Sequence, residues 1–279
     1  MLALSADGRR LAFLAEHAGG GWALHVRELD QLAARVVPGT EIPPEAPATG
    51  HSPFFSPDGE WVGFRSPGKG IMRAALGGGP PVKLLDDPAA WMGGAWGVGD
   101  TIILAPGERG LLQVSAGRGD APDQLTNPTA PGQGPKRPKL LPGGRGLVFN
   151  YGVPPNSRIV IFDRTTRSSR VLNESGDGPV YTSSGHLVFL RGRSTLMAMP
   201  FDLERLTPTR EPVAVLEGVR DQDYAISENG TLAYVPVEDG TGQRASAKLV
   251  WRSRAGRVVG EAVSEPLEDP RDMRISPEG

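Results

Sequence analysis

Cysteine is absent from this 279-residue sequence. That excludes structural disulfides, thiolate metal sites and cysteine nucleophiles. Aromatic residues are sparse, at 6%. No apolar run reaches the roughly 18–20 residues that a membrane helix needs. The opening Met1 to Gly8 (MLALSADG) is too short an apolar start for a signal peptide. Charge of one sign is nowhere concentrated: 30 Lys and Arg are interspersed with 32 Asp and Glu, for a net charge of −2. There is no basic stripe for a nucleic-acid partner and no charged tail. The histidines are His17, His25, His51 and His186, and none falls in an HxH, HExxH or HxxxH pair. No metal and no cofactor is expected.

What the chain has in quantity is glycine and proline, 38 and 27 residues. Together they are nearly a quarter of the sequence, which implies either disorder or a fold with very many turns. A repeat favours the turns. The tetrapeptide SADG at Ser5 to Gly8 returns as SPDG at Ser56 to Gly59, SENG at Ser227 to Gly230 and SPEG at Ser276 to Gly279. Looser copies are GVGD from Gly97, LPGG from Leu141 and TSSG from Thr182. Successive starts lie 41 to 51 residues apart, the length of a four-stranded propeller blade. Serine can accept backbone N–H bonds, Asp and Asn tolerate tight turns, and glycine supplies positive φ.

An apolar run follows each turn: LAFLA from Leu11, WVGF from Trp61, TIILA from Thr101, GLVF from Gly146, HLVF from His186 and TLAY from Thr231. Phe13, Phe64, Leu104, Phe149, Phe189 and Tyr234 hold equivalent places. Such short runs between Gly and Pro read as buried strands. A third strand follows (WALHVREL from Trp22, GIMRAAL from Gly70, GLLQVSA from Gly110, RIVIFDR from Arg158, TLMAMPFD from Thr195, KLVWRSR from Lys248), then a more polar fourth. Asp30 to Ala34, the nearest approach to helical periodicity, reads as a turn. The expected fold is all-β, a single β-propeller over 1–279 with six four-stranded blades, or seven if the parent chain continues. The blades fall at about 1–45, 46–88, 89–130, 131–176, 177–219 and 220–266. Residues 267–279 begin a further repeat or, through Arg271 to Ile275, supply the innermost strand of the first blade in competition with Met1 to Leu4.

The turn-then-strand unit resembles the TolB-like, WD-repeat-like propeller repeat of bacteria over essentially the whole chain. LGGGPPVKLLDDP from Leu76, GGAWGVGDTIILAP from Gly93, the long segment from Gly185, SENGTLAYVP from Ser227 and LVWRSRAGRVVG from Leu249 narrow the resemblance. They are similar to the sensor propellers attached to bacterial serine/threonine protein kinases. That resemblance implies a non-catalytic binding module, an extracytoplasmic location, and a chain that is a fragment of a longer receptor. No HRD loop, DFG or kinase Gly-rich loop is present. The rival expectations are an accessory propeller of a prolyl oligopeptidase-type hydrolase and a free-standing TolB-like protein of the cell envelope.

Several segments resemble chemical motifs but have plainer structural readings. Gly63 to Gly70 reads GxxxxGKG, but Gly70 stands where a P-loop needs Ser or Thr, and a strand follows instead of a helix. A hairpin turn is expected. Ser66 to Lys69 fits SxxK without its SDN and KTG partners, and Ser52 in GHSPF lacks the GxSxG elbow. Asn173 and Asn229 begin N-x-S/T sequons read as chance. Trp22 and Trp61 read as packing, and His25 as a satisfied strand residue.

Propeller ligands meet loops at the central depression, so the candidates are residues entering innermost strands. His51 precedes one. Trp91 and Trp96 lie in the Gly-rich MGGAWG connection as aromatic anchors. Lys136 and Arg137 enter the fourth blade in the same relative place, and Asp221, Asp223 and Tyr224 enter the sixth. The expected partner is a protein or small ligand at the channel mouth, bound by a monomer.

Overall fold

A computed structural model describes residues 2–17, 20–44, 52–88, 90–117, 120–130, 133–152, 156–192, 194–237, 250–252 and 258–261. His51, the Ser276 turn and Arg271 to Ile275 lie outside the described residues.

The repeated turn folds as its chemistry requires. Ser5 Oγ accepts the Arg10 N–H at 2.9 Å and donates to Asp7 Oδ1 at 2.6 Å, while Asp7 Oδ1 accepts the Arg9 N–H at 3.1 Å. Ser56, Asp58 and Trp61 repeat this pattern, with the Trp61 N–H 2.9 Å from Ser56 Oγ. Ser227, Asn229 and Thr231 repeat it again, the Thr231 N–H lying 2.9 Å from Ser227 Oγ. The closing glycines take φ of 69°, 71° and 89° at Gly8, Gly59 and Gly230, a region that strains any residue with a Cβ.

These turns join the first two strands of each unit. The first blade is β1 (Leu2–Leu4), β2 (Arg10–Glu16), β3 (Trp22–Glu28) and β4 (Arg35–Val36). The second is β5 (Phe54–Phe55), β6 (Trp61–Ser66), β7 (Gly70–Ala75) and β8 (Val82–Leu85). The third is β9 (Gly94–Trp96), β10 (Thr101–Leu104), β11 (Leu112–Ser115) and β12 (Asp123–Gln124), with a 3-10 turn at Gly107–Arg109. The fourth is β13 (Lys136–Leu140), β14 (Gly146–Tyr151), β15 (Arg158–Asp163) and β16 (Ser168–Ser175). The fifth is β17 (Asp177–Thr182), β18 (His186–Arg191), β19 (Thr195–Asp202), β20 (Thr207–Pro208) and β21 (Val213–Leu216). The sixth has an inner hairpin of β22 (Val219–Ile226) and β23 (Leu232–Pro236), and β24 (Val250–Arg252) pairs with β25 (Val258–Glu261) in a two-stranded ladder. Every ladder is antiparallel, and blades one to four run in sequence order from the inside out.

Sequence reading missed one element, the small hairpin of β19 with β20. Asp202 Oδ1 accepts the Glu204 and Arg205 N–H groups at 2.8 and 2.9 Å, so an Asx-type turn reverses the chain before β21 takes the outer position. The GxxxxGKG segment is the β6–β7 hairpin turn, in which the Lys69 N–H donates to Ser66 O at 3.0 Å.

Six hydrophobic cores lie between successive blades and close the ring. In β10 the alternation is explicit: Ile102 and Leu104 face the second blade, and Ile103 faces the fourth. Both faces are buried, so the strand reads as a continuous apolar run. The equivalent aromatic and leucine positions all pack toward the preceding blade. Phe64 meets the first, Leu104 the second, Phe149 the third, Phe189 the fourth and Tyr234 the fifth. Phe13 packs beside Ala233 of the sixth, which closes the circle. Each such side chain contributes about 1.5–3 kcal/mol by burial. Leu2–Leu4 forms the innermost strand of the first blade, its Ala3 paired with Ala12. Among the described residues no helix is long and apolar enough to cross a membrane.

Candidate functional site

The ring leaves an axial channel walled by the inner strands. Its wide mouth, a cavity of about 470 Å³, is bordered by the repeated turns, including Ser56, Pro57, Gly143 and Ser227. The narrow end, about 90 Å³, is bordered by the starts of the inner strands, where Ser52, Gly93, Arg137, Gly178 and Tyr224 meet. Ala3, Leu4, Lys139, Val180 and Ile226 line both.

Three neighbouring inner strands break their regular pairing at the narrow end. In β13, Lys136 pairs with Asn150 and Lys139 with Val148, so Arg137 and Pro138 together face one residue of β14. A proline cannot donate to the ladder, and a bulge is where it is tolerated. Arg137 takes a left-handed φ of 49°. In β17 the same two-against-one slip falls between Asp177 and Val180, and in β22 the register shifts between Val219 and Tyr224. Bulges of this kind re-aim side chains.

The re-aimed groups form one polar cluster. Arg137 Nη1 lies 3.8 Å from Asp177 Oδ1, with 21% and 7% of the two side chains exposed. That separation makes an ion pair without a short hydrogen bond. The Tyr224 hydroxyl donates to Gly178 O at 2.7 Å and lies 3.0 Å from Asp177 O. Fully buried Asn150 donates to Ser157 Oγ at 3.0 Å and accepts the Gly178 N–H at 3.3 Å. Gly178 is required here twice over. Its φ is 57°, and a Cβ would stand 2.7 Å from the Tyr224 hydroxyl and 2.8 Å from Arg137 Nη1.

Lys139 sits at the waist of the channel, deep within the ring, and its side chain is half-buried. Desolvation holds its ammonium below the ordinary lysine pKa, and Arg137 pushes in the same direction. Desolvation also lowers Lys136, opposed by Asp177 and reinforced by Arg137.

The structure gathers some of the expected residues and separates others. Arg137 and Tyr224 meet at the narrow end, and half-buried Trp96 lines the wide mouth. Lys136 is half-buried at the start of β13, outside both linings. Trp91 is 4% exposed and packs in the core between the second and third blades, 6.2 Å from Phe54, instead of standing exposed on a loop. Asp223 receives the Arg220 guanidinium at 2.7 Å. Asp221 falls within β22, and its side chain lies outside what is described. Lys139, Asp177, Gly178 and Asn150 were not singled out from sequence. Pro138 inside KRPKL was the one local sign of a bulge there.

Six inter-blade cores around one channel define a closed six-bladed β-propeller of the TolB-like, WD-repeat-like kind. Comparison of the sequence with family models and with curated proteins gave no match. Solved structures do match in fold. TolB from Acinetobacter baumannii superposes with a TM-score of 0.67 at 16% identity, over 91% of this chain and 63% of that one. This chain thus spans less than two thirds of that protein's length. A protein described as TolB from Agrobacterium tumefaciens gives 0.55 at 18% identity, over 85% and 90%. The Cps50 (Swd1) β-propeller domain of Myceliophteria thermophila gives 0.60 at 15%, over 96% and 86%. At these identities the likeness is one of fold.

Proposed function

We propose that this chain is a non-catalytic, monomeric binding propeller whose ligand or protein partner docks at the axial channel, and that it serves as the sensor region of a bacterial kinase-like receptor. The observation that carries the binding reading is the convergence of three bulged inner strands on one end of the channel. Other ladders shift register too, between outer strands, but these three inner-strand breaks fall together beside the cavity, where bulges re-aim side chains on a rigid ring. Lining hydroxyls at Ser56 and Ser227 are engaged in their turns, which fits holding better than acyl transfer. The kinase-sensor reading is supported by the sequence segments from Leu76, Gly93, Gly185 and Ser227. The likeness in fold to TolB favours a second reading, a TolB-like interaction protein of the cell envelope.

Two measurements test this. The parent gene upstream of Met1 should encode HRD and DFG motifs and an apolar segment of about 20 residues. A signal peptide with no kinase there favours the envelope protein, and an adjoining GxSxG domain favours the hydrolase. Separately, thermal melting should be followed against a panel of small acids, sugars and peptides. Compounds that raise the wild-type midpoint should fail on Val180→Trp, which plugs the waist. A panel that shifts nothing, or a plug without effect, rejects the channel as the binding site.

A further inference from the structure

The charges along the channel do not balance. The narrow end carries two cations, Arg137 and Lys139, and no acid in its lining. The wide mouth adds Arg164 and Glu228. Arg164 is committed: its guanidinium donates to Gly144 O and, at 2.7 Å, to Gln113 Oε1. Arg137 is held by Asp177 at 3.8 Å. Lys139 has no hydrogen-bond or ion-pair partner among the described residues. Its neighbours in both linings are Ala3, Leu4, Val180 and Ile226, an apolar collar.

An unpaired ammonium within such a collar is costly unless an anion joins it. No acid among the described residues pairs with it, so a ligand that brings a negative charge would favour the charged form that burial disfavours. One uncompensated cation matches one negative charge. A phosphate would bring up to two charges to a waist whose other cation, Arg137, is already paired with Asp177. The aliphatic ring around the ammonium suits an aliphatic body attached to the anionic group.

We propose that the waist of the channel is a carboxylate-binding site, in which Lys139 pairs with the carboxylate of a small aliphatic acid and the collar of Leu4, Val180 and Ile226 holds its apolar part. Arg137 flanks the site as a second cation whose loose pairing with Asp177 leaves room to turn toward the ligand. The wide mouth, a cavity of about 470 Å³, offers an approach to the collar. The proposal rests on the reading of the channel as the binding site and adds the ligand's chemistry to it.

The test uses butyrate, its neutral analogue butyramide, and inorganic phosphate as probes in calorimetric titration of the whole chain. Wild type should bind butyrate at least tenfold more tightly than butyramide or phosphate. Lys139→Met keeps the stem and removes the charge. It should lose at least tenfold in butyrate affinity without a lower melting midpoint, and Lys139→Arg should retain most of the affinity. Phosphate binding more tightly than butyrate overturns the carboxylate assignment. Equal butyrate binding by wild type and Lys139→Met overturns the role of Lys139. If butyramide binds as well as butyrate and Val180→Trp abolishes both, the channel reading stands and the carboxylate site falls. If no probe binds wild type, the carboxylate site falls as well.

Discussion

Asn229 Nδ2 donates to the main-chain oxygen of Asp7 at 2.7 Å, across 222 positions of sequence. This is a bond between two copies of the same turn, one in the sixth blade and one in the first. Other blade junctions are tied by analogous bonds. Arg10 reaches forward to Gly59 O at 2.6 Å, and the Ser183 N–H donates to Glu228 O at 3.1 Å. The turns of the first, second, fifth and sixth blades therefore do two jobs: they start strands and latch neighbouring blades.

Asn229→Asp isolates the latch at the ring closure. The carboxylate still accepts the Ser227 hydroxyl and the Thr231 N–H, but it has no N–H to give Asp7 O and sets a negative charge against that carbonyl. Stability should fall by about 1 kcal/mol, the net worth of one hydrogen bond. Urea unfolding should show a lower midpoint with an unchanged slope. An unchanged midpoint means that the hydrophobic contact of Phe13 with the sixth blade closes the ring without help.

The turn acids impose a pH dependence. The Ser5 hydroxyl lowers Asp7, and the Ser56 hydroxyl lowers Asp58, with backbone N–H groups adding to both. A folded-state pKa below the unfolded one stabilises the protein fully above the unfolded value. That stabilisation is lost as pH falls from about 4 through the lower folded values. Asp7→Asn with Asp58→Asn keeps the acceptor oxygen, as Asn229 does in the sixth blade. The double variant should show a shallower loss of stability between about pH 4 and pH 2. The same slope as wild type would place the acid sensitivity elsewhere.

Phe54 tests the packing within the second blade and against the third. Its ring occupies the space that a Cβ on Gly63 would take, 2.1 Å from Phe54 Cζ, and Gly94 presses on the same ring. Gly63→Ala should destabilise by about 1–3 kcal/mol through overpacking. Adding Phe54→Leu should recover part of that loss, because the smaller side chain vacates the slot. Double-mutant analysis of urea midpoints measures the coupling, and additive effects would show that the ring is not the obstacle.

The architecture was legible because it is written in short-range chemistry. A serine that accepts an N–H, an acid two residues on and a glycine at positive φ can be recognised in any order of blades. The apolar residue that follows, such as Phe64 or Phe149, then says which face is buried. The site was less legible because it depends on breaks in that regularity. Strict alternation does not reveal that Arg137 and Pro138 share one partner, so Lys136 was singled out and Lys139 was passed over. Trp91 looked exposed in a glycine-rich stretch, and only the arrival of Phe54 from the preceding blade encloses it.

Tyr224 separates scaffold from site at the narrow end. Its hydroxyl ties the sixth blade to the fifth through Gly178 O at 2.7 Å, and its ring is buried among Leu190, Leu196 and Val219. Tyr224→Phe removes the tie and leaves the ring, so stability should fall by about 1 kcal/mol. The same change frees Gly178 O, on a residue that Arg137 flanks, to accept from the guanidinium. That should hold Arg137 away from the channel and weaken butyrate binding by less than the loss caused by Lys139→Met. Measuring midpoint and affinity together distinguishes the roles. A fall in midpoint with full affinity assigns Tyr224 to the scaffold alone, and a loss of affinity as large as that of Lys139→Met would make it a direct ligand contact.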